Sequence, residues 1–135
     1  MLLNRRQFLL LTAGLATAGC KSVDSGNPPA AQPKTINAGL ASNYTADGIY
    51  TRHRDRGFFI VRQGENLFAL SSFCTHRKCK LTAQADRTFY CPCHGSTFDP
   101  HGHVTKGPAK IDLPTFSISP NEQGQLLVQV TVAGR

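Results

Sequence analysis

The sequence predicts an all-β fold of antiparallel strands, a sandwich or barrel, on three observations. Short runs of β-branched and aromatic residues recur at close spacing, with turn residues between them. No window keeps a helical apolar period of about 3.6 residues through three turns. Glycine and proline are frequent, 12 and 8 in 135 residues, and interrupt the chain wherever a long element could begin.

The elements follow in chain order. Residues 57–62, GFFIVR, form a β-rich run that ends at Gln63-Gly64-Glu65-Asn66. Residues 67–71 follow, and the glycine-containing gap makes the two a hairpin. Residues 88–90 give another short strand, and Asp99-Pro100-His101-Gly102 is a turn by residue type. Residues 116–119 alternate as one strand, residues 120–124 turn, and residues 126–132 form the last strand. A length of 135 residues fits one domain with a tail.

Composition narrows the function. Hydrophobic residues make up 40% and charged residues 17%, which excludes a disordered chain, a coiled coil and a polytopic membrane protein. Fifteen Lys+Arg against eight Asp+Glu leave a formal charge of +7, suited to an acidic partner or an anionic surface. The cations are scattered rather than clustered, which argues against nucleic-acid binding. There is no Ser-His-Asp set, no carboxylate pair and no phosphate loop, and few acids are available for acid–base catalysis.

Residues 1–19 read as an export signal. Arg5-Arg6-Gln7-Phe8-Leu9 resembles a twin-arginine start, and the uncharged run from 7 to 20 is shorter than the roughly 20 residues a spanning helix needs. Ala16-Thr17-Ala18 offers one cleavage site; Thr17-Ala18-Gly19-Cys20 resembles a lipoprotein box that would leave Cys20 as a lipidated N-terminus. Residues 20–35, with three prolines and no apolar period, read as a linker from that anchor, and residues 36–135 as the folded domain. The expected location is the periplasm or the outer face of the cell membrane, held to the membrane surface by the lipid.

The chemistry lies in two short loops. Cys74-Thr75-His76-Arg77-Lys78-Cys79 and Cys91-Pro92-Cys93-His94-Gly95-Ser96 place four of the five cysteines and two of the five histidines within 23 residues. Thiolates with imidazoles suit zinc or iron–sulfur chemistry. One metal site uses four of these six candidate ligands, and two spare cysteines in an exported protein pair more readily than they stay free.

The pattern C-x-H-x-x-C with C-x-C-H-G-S resembles the Rieske [2Fe–2S] family of the high-potential, cytochrome bc type, and the likeness runs through Thr97-Phe98-Asp99 to Gly107-Pro108-Ala109. The resemblance implies one [2Fe–2S] cluster per chain. Cys74 and Cys91 would hold one iron, and His76 and His94 the other. It implies a Cys79–Cys93 disulfide, a cluster-covering segment at Gly107, Pro108 and Ala109, and a Ser96 hydroxyl donating to a bridging sulfide. It implies the Rieske-type all-β fold, with antiparallel sheets and a smaller cluster-binding portion over about residues 72–110. Two neutral imidazoles in place of two thiolates raise the potential, because the electron enters a less negative centre. Cys20 is then the cysteine left for lipid.

Two positions depart from the bc-type pattern. Arg77 and Lys78 stand where that motif has Leu and Gly. Lys78 thereby takes a backbone position that favours glycine if φ there is positive. Two cations beside His76 argue against an apolar quinone pocket and for an acidic protein partner. Phe98 replaces a tyrosine whose hydroxyl would bond a ligand sulfur. Outside the loops, the run 52–56 with His53 reads as a solvated segment, His101 and His103 as an exposed turn, and Tyr44, Tyr50 and Tyr90 as packing residues.

The expected function is one-electron transfer, as the iron–sulfur subunit of a quinol-oxidising cytochrome bc-like complex rather than as a catalyst acting alone. The alternative is an electron-transfer subunit or carrier for another periplasmic oxidoreductase of the arsenite-oxidase-like kind; a zinc-binding interaction module comes last. The expected partner is a redox protein, a cytochrome of c or b type or a larger oxidoreductase subunit, with quinol as a possible donor.

Overall fold

Residues 58–61, Phe-Phe-Ile-Val, are all buried, and their alternation divides the interior in two. Phe59 and Val61 point into one core, Phe58 and Ile60 into the other. A strand buried on both faces has sheets packed against each side of it. The computed structural model describes residues 31–131. Its strands are β1 (Lys34–Leu40), β2 (Gly48–Tyr50), β3 (Phe58–Gln63), β4 (Asn66–Ser71), β5 (Thr82–Ala83), β6 (Phe89–Tyr90), β7 (Thr97–Phe98), β8 (Val104–Lys106), β9 (Thr115–Phe116), β10 (Ile118–Pro120) and β11 (Gln125–Val130). The helical segments among the described residues are the single 3-10 turns Ala41–Asn43 and Arg54–Arg56.

The strands form three antiparallel sheets, ordered β1-β11-β10, β2-β3-β4-β9 and β5-β6-β7-β8. The central hairpin pairs Gln63 with Asn66 and Phe58 with Ser71, so the turn falls at Gly64-Glu65 as the sequence predicts. One core lies between the first two sheets and contains Ala38, Tyr44, Ile60, Phe116, Leu126, Val128 and Val130. The other lies between the second and third and contains Leu70, Leu81, Phe89, Phe98 and Leu113, with Cys74 and Cys91 among them. This is the all-β, Rieske-type architecture expected, with a larger basal portion and a smaller one that carries the two cysteine loops.

Several details differ from expectation. β1 begins at Lys34, so the last two residues of the presumed linker already belong to a sheet. The run 116–119 is not one strand: β9 pairs with β4 in the central sheet, and β10 pairs with β11 in the basal sheet. The run 52–56 is not a plain solvated loop. Arg54 donates from Nε to the Leu81 carbonyl at 2.5 Å. His53 is buried, stacked on Phe58 at 5.0 Å between ring centres, with Nε2 3.0 Å from the Tyr44 hydroxyl. The predicted export signal, Cys20 and most of the linker lie outside the described residues.

Candidate metal centre

Each cysteine loop leaves the end of a strand, the first β4 and the second β6. The two loops share one backbone frame. Cys74 N–H donates to the Cys79 carbonyl at 2.7 Å, and Lys78 N–H donates to the Cys74 carbonyl at 2.9 Å. In the second loop Cys91 N–H donates to the Ser96 carbonyl at 2.8 Å, and Gly95 N–H to the Cys91 carbonyl at 2.9 Å. The fifth residue of each frame is left-handed, Lys78 at φ 60° and Gly95 at φ 79°. A Lys at such a position works against its Cβ, and φ is positive at the position where the bc-type motif has Gly.

The frame sorts the donors by depth. Cys74 and Cys91 sit at the base, 0% and 1% exposed, close enough for the Cys91 thiol to push the Cys74 thiol up. Burial pushes the Cys74 thiol up; the backbone N–H of His76 and the hydroxyl of Ser96 act in the opposite direction. His76 and His94 stand exposed at the tip, edge to face, 4.8 Å between ring centres. Cys79 and Cys93 form a disulfide that ties the loops together. The Sγ atoms of Cys79, Cys91 and Cys93 lie within 4.8 Å of one another, but the bonded pair is withdrawn from ligation. Among the described residues the free thiols are therefore Cys74 and Cys91.

A third segment closes the site. The Gly107–Pro108 peptide is cis, and Ala109 N–H donates to the buried Ser96 Oγ at 3.0 Å. Ser96 thus accepts from the proline segment, and its hydroxyl acts on the Cys74 sulfur in the direction that favours the thiolate. The Thr75 hydroxyl donates to the Ile111 carbonyl at 2.5 Å, so the same segment is pinned to both loops. Phe98 is fully buried beneath the second loop and brings no hydroxyl to the sulfurs.

Sequence reasoning missed the residues that brace the first loop. The Ser72 hydroxyl donates to the Arg54 carbonyl at 2.7 Å, and Leu81 N–H donates to the Ser72 carbonyl at 2.8 Å. With the Arg54–Leu81 bond these lock the strand end from which Cys74 departs. Nothing local in Arg52-His53-Arg54 signals it. His101 and His103 do occupy an exposed turn; His103 pairs with Asp99 at 3.0 Å, which raises its pKa, and neither joins the His76–His94 pair.

The donor set fits a histidine-ligated [2Fe–2S] cluster: two thiols side by side at the base, two imidazoles side by side above them, and a disulfide that removes the competing sulfurs. The Rieske [2Fe–2S] domain profile matches residues 36–117. The chain is 30% identical over 128 residues to the cytochrome b6-f complex iron-sulfur subunit of Prochlorococcus marinus (strain MIT 9312), covering 90% of this chain and 69% of that one. It is 32% identical over 128 residues, with the same coverage, to the corresponding subunit of P. marinus subsp. pastoris. Among solved structures it is similar to the cyanobacterial plasma membrane Rieske protein PetC3 from Synechocystis PCC 6803, with a TM-score of 0.55, 31% identity, and 70% of this chain and 99% of that one covered. These matches set aside the zinc-binding reading. The chain belongs to the Rieske [2Fe–2S] domain family, transfers electrons, and carries one [2Fe–2S] cluster.

Proposed function

We propose that this chain is the iron–sulfur subunit of a quinol-oxidising, cytochrome bc-like complex. The observation that carries the reading is the pair of imidazoles, His76 and His94, presented at the surface on two loops tied by a disulfide. Cys74 and Cys91 would hold the buried iron, and His76 and His94 the exposed one. The bound cluster supplies one-electron chemistry; everything else is positioning by the chain. The shared backbone frame and the Cys79–Cys93 bond hold the four donors. Ser96 stabilises negative charge on the Cys74 sulfur, and Ala109 and Leu113 help keep water from the base. The likeness to cytochrome b6-f iron-sulfur subunits supports the quinol-linked assignment.

One observation favours a second reading, an electron-transfer subunit or carrier for another periplasmic oxidoreductase, arsenite-oxidase-like in kind. Arg77 and Lys78 are exposed beside His76, where a quinone headgroup would need apolar surroundings. Redox titration of the cluster-loaded chain, read by electron paramagnetic resonance at several pH values, separates the two. A high midpoint that falls as pH rises supports quinol oxidation; a low one that is flat near neutrality supports the carrier. The proposed export through a twin-arginine signal, with Cys20 lipidated at the membrane, is tested by the mass of the mature chain from membranes. Cleavage after Ala18 and lipidation at Cys20 give different masses.

A further inference from the structure

We propose that the tip of the site is a docking face for an acidic redox protein, seated on Ile111 and steered by Arg77, Lys78, Lys106 and Lys110. The inference rests on the electron-transfer reading and names its partner. The donors at the base are buried and those at the tip are exposed, so a partner must meet the tip to come within transfer distance.

The charge of that face has one sign. The segments 74–80, 91–98 and 104–111 contain Arg77, Lys78, Lys80, Lys106 and Lys110 and no Asp or Glu. Lys80 is held by Asp55 at 2.7 Å. The other four cations are exposed and make no ion pair among the described residues. The flanking acids are engaged: Asp99 accepts from His101 N–H, His103 N–H and the His103 ring, and Asp112 accepts from Val104 N–H at 2.8 Å.

Ile111 supplies the apolar contact. It is 68% exposed, more than either Leu40 or Tyr90. A single exposed isoleucine is ordinary, but this one is fixed in place. Its carbonyl takes the hydroxyl of Thr75, the residue between Cys74 and His76. Ala109, two residues earlier, is bonded to Ser96 in the other loop. Pro92 in the second loop and Pro108 in the closing segment are also exposed. An apolar centre with a charged rim is the anatomy of a protein interface. Unpaired cations at the rim cost little while hydrated, attract carboxylates at a distance, and oppose burial in an apolar pocket.

The test uses the full, cluster-loaded chain and two soluble c-type cytochromes, one acidic and one basic. Binding is read by surface plasmon resonance and electron transfer by stopped-flow absorbance. The acidic cytochrome is expected to bind, with a Kd that rises steadily with salt, and the basic one to bind more weakly. Arg77→Glu is expected to slow association with the acidic probe about tenfold at low salt and to change little at high salt. Ile111→Ser is expected to weaken binding at every salt concentration. Both side chains are exposed, so circular dichroism and the visible spectrum of the cluster should be unchanged. Equal affinity for the two cytochromes, or an acidic-probe affinity indifferent to salt and to Arg77→Glu, overturns the docking proposal while electron transfer itself survives. A chain without the Rieske spectrum overturns the electron-transfer reading and this proposal with it.

Discussion

Lys78→Gly and its mirror, Gly95→Ala, probe the backbone frame common to the two ligand loops. Each residue stands four places after a buried cysteine and donates its N–H to that cysteine's carbonyl at 2.9 Å; the φ values are 60° and 79°. A Cβ in the left-handed region costs about 1–2 kcal/mol. A glycine there gives back about 0.4–1 kcal/mol through the freedom of its unfolded chain. The difference, about 1 kcal/mol, is the expected gain of Lys78→Gly over Lys78→Ala, which removes the same charge and keeps the Cβ. At position 95 a Cβ would meet nothing within 4 Å. Gly95→Ala should therefore lose about 1 kcal/mol from backbone strain alone. Thermal unfolding of the cluster-loaded chain by far-UV circular dichroism reads this as about 4–8 °C for a domain of this size. All variants are compared at one scan rate, since cluster loss makes the transition kinetic. If Lys78→Gly is no more stable than Lys78→Ala, or Gly95→Ala melts with the parent, the left-handed positions are not strained and the common frame has no energetic meaning.

Three further outcomes follow from the packing. Ser96→Ala leaves the buried Ala109 N–H without its acceptor, which costs about 1–3 kcal/mol; with the donor to the Cys74 sulfur also gone, the midpoint potential should fall, and an unchanged potential would show that the hydroxyl does not reach the sulfur when the cluster is bound. Gly102→Ala should cost about 3 kcal/mol, because the position has φ 89° and a Cβ would lie 3.0 Å from Leu70 Cδ2 and 3.2 Å from Leu113 Cβ; Gly124→Ala, at φ 72° with nothing within 4 Å, should cost about 1 kcal/mol, and equal losses in urea titrations would show that contact at Gly102 is relieved by movement. Burial, together with Arg56 and Arg52, holds the His53 pKa below its ordinary value of about 6.5, so the folded state refuses a proton that the unfolded state accepts. Stability should therefore fall as pH drops below about 6.5, before the carboxylates titrate; His103, raised by Asp99, acts with the opposite sign, its contribution being lost as pH rises through its folded pKa. In a His103→Gln background the remaining slope should become shallower on His53→Gln, and an unchanged slope would place the titration elsewhere.

How far the fold could be read from the residues depends on where each strand finds its partner. The β3–β4 hairpin was legible because its register is set by a local turn and its residues are buried on both faces. β1 was not, because it pairs with β11 from the far end of the chain and buries only Ala38 fully. The alternation at 116–119 was visible, but period alone does not say that a chain changes sheets at Ser117; there the Ser117 carbonyl accepts from Gln129 N–H at 3.0 Å. His53 misled because its neighbours in sequence are Arg and its neighbours in space are Phe58 and Tyr44. Charge runs report local solvation, whereas burial of one member is a tertiary event.

The candidate donors stood out in the sequence because thiols and imidazoles at that density have few other uses, but the relation between the loops did not. The histidine lies two residues after the first cysteine and three after the second, so the sequences do not align, although the backbone bonds do. Those bonds, the disulfide, and braces such as Arg54 to Leu81 hold the donors without using the side chains of Arg77 or Lys78. The frame constrains only the backbone at position 78, and Lys78 adopts the left-handed turn at a cost of about 1–2 kcal/mol. The two tip side chains next to His76 can therefore carry any chemistry the partner requires while the donor geometry stays the same. A cationic pair at that place then reports the surface it must meet, and in this chain it is the feature that speaks most directly about the partner.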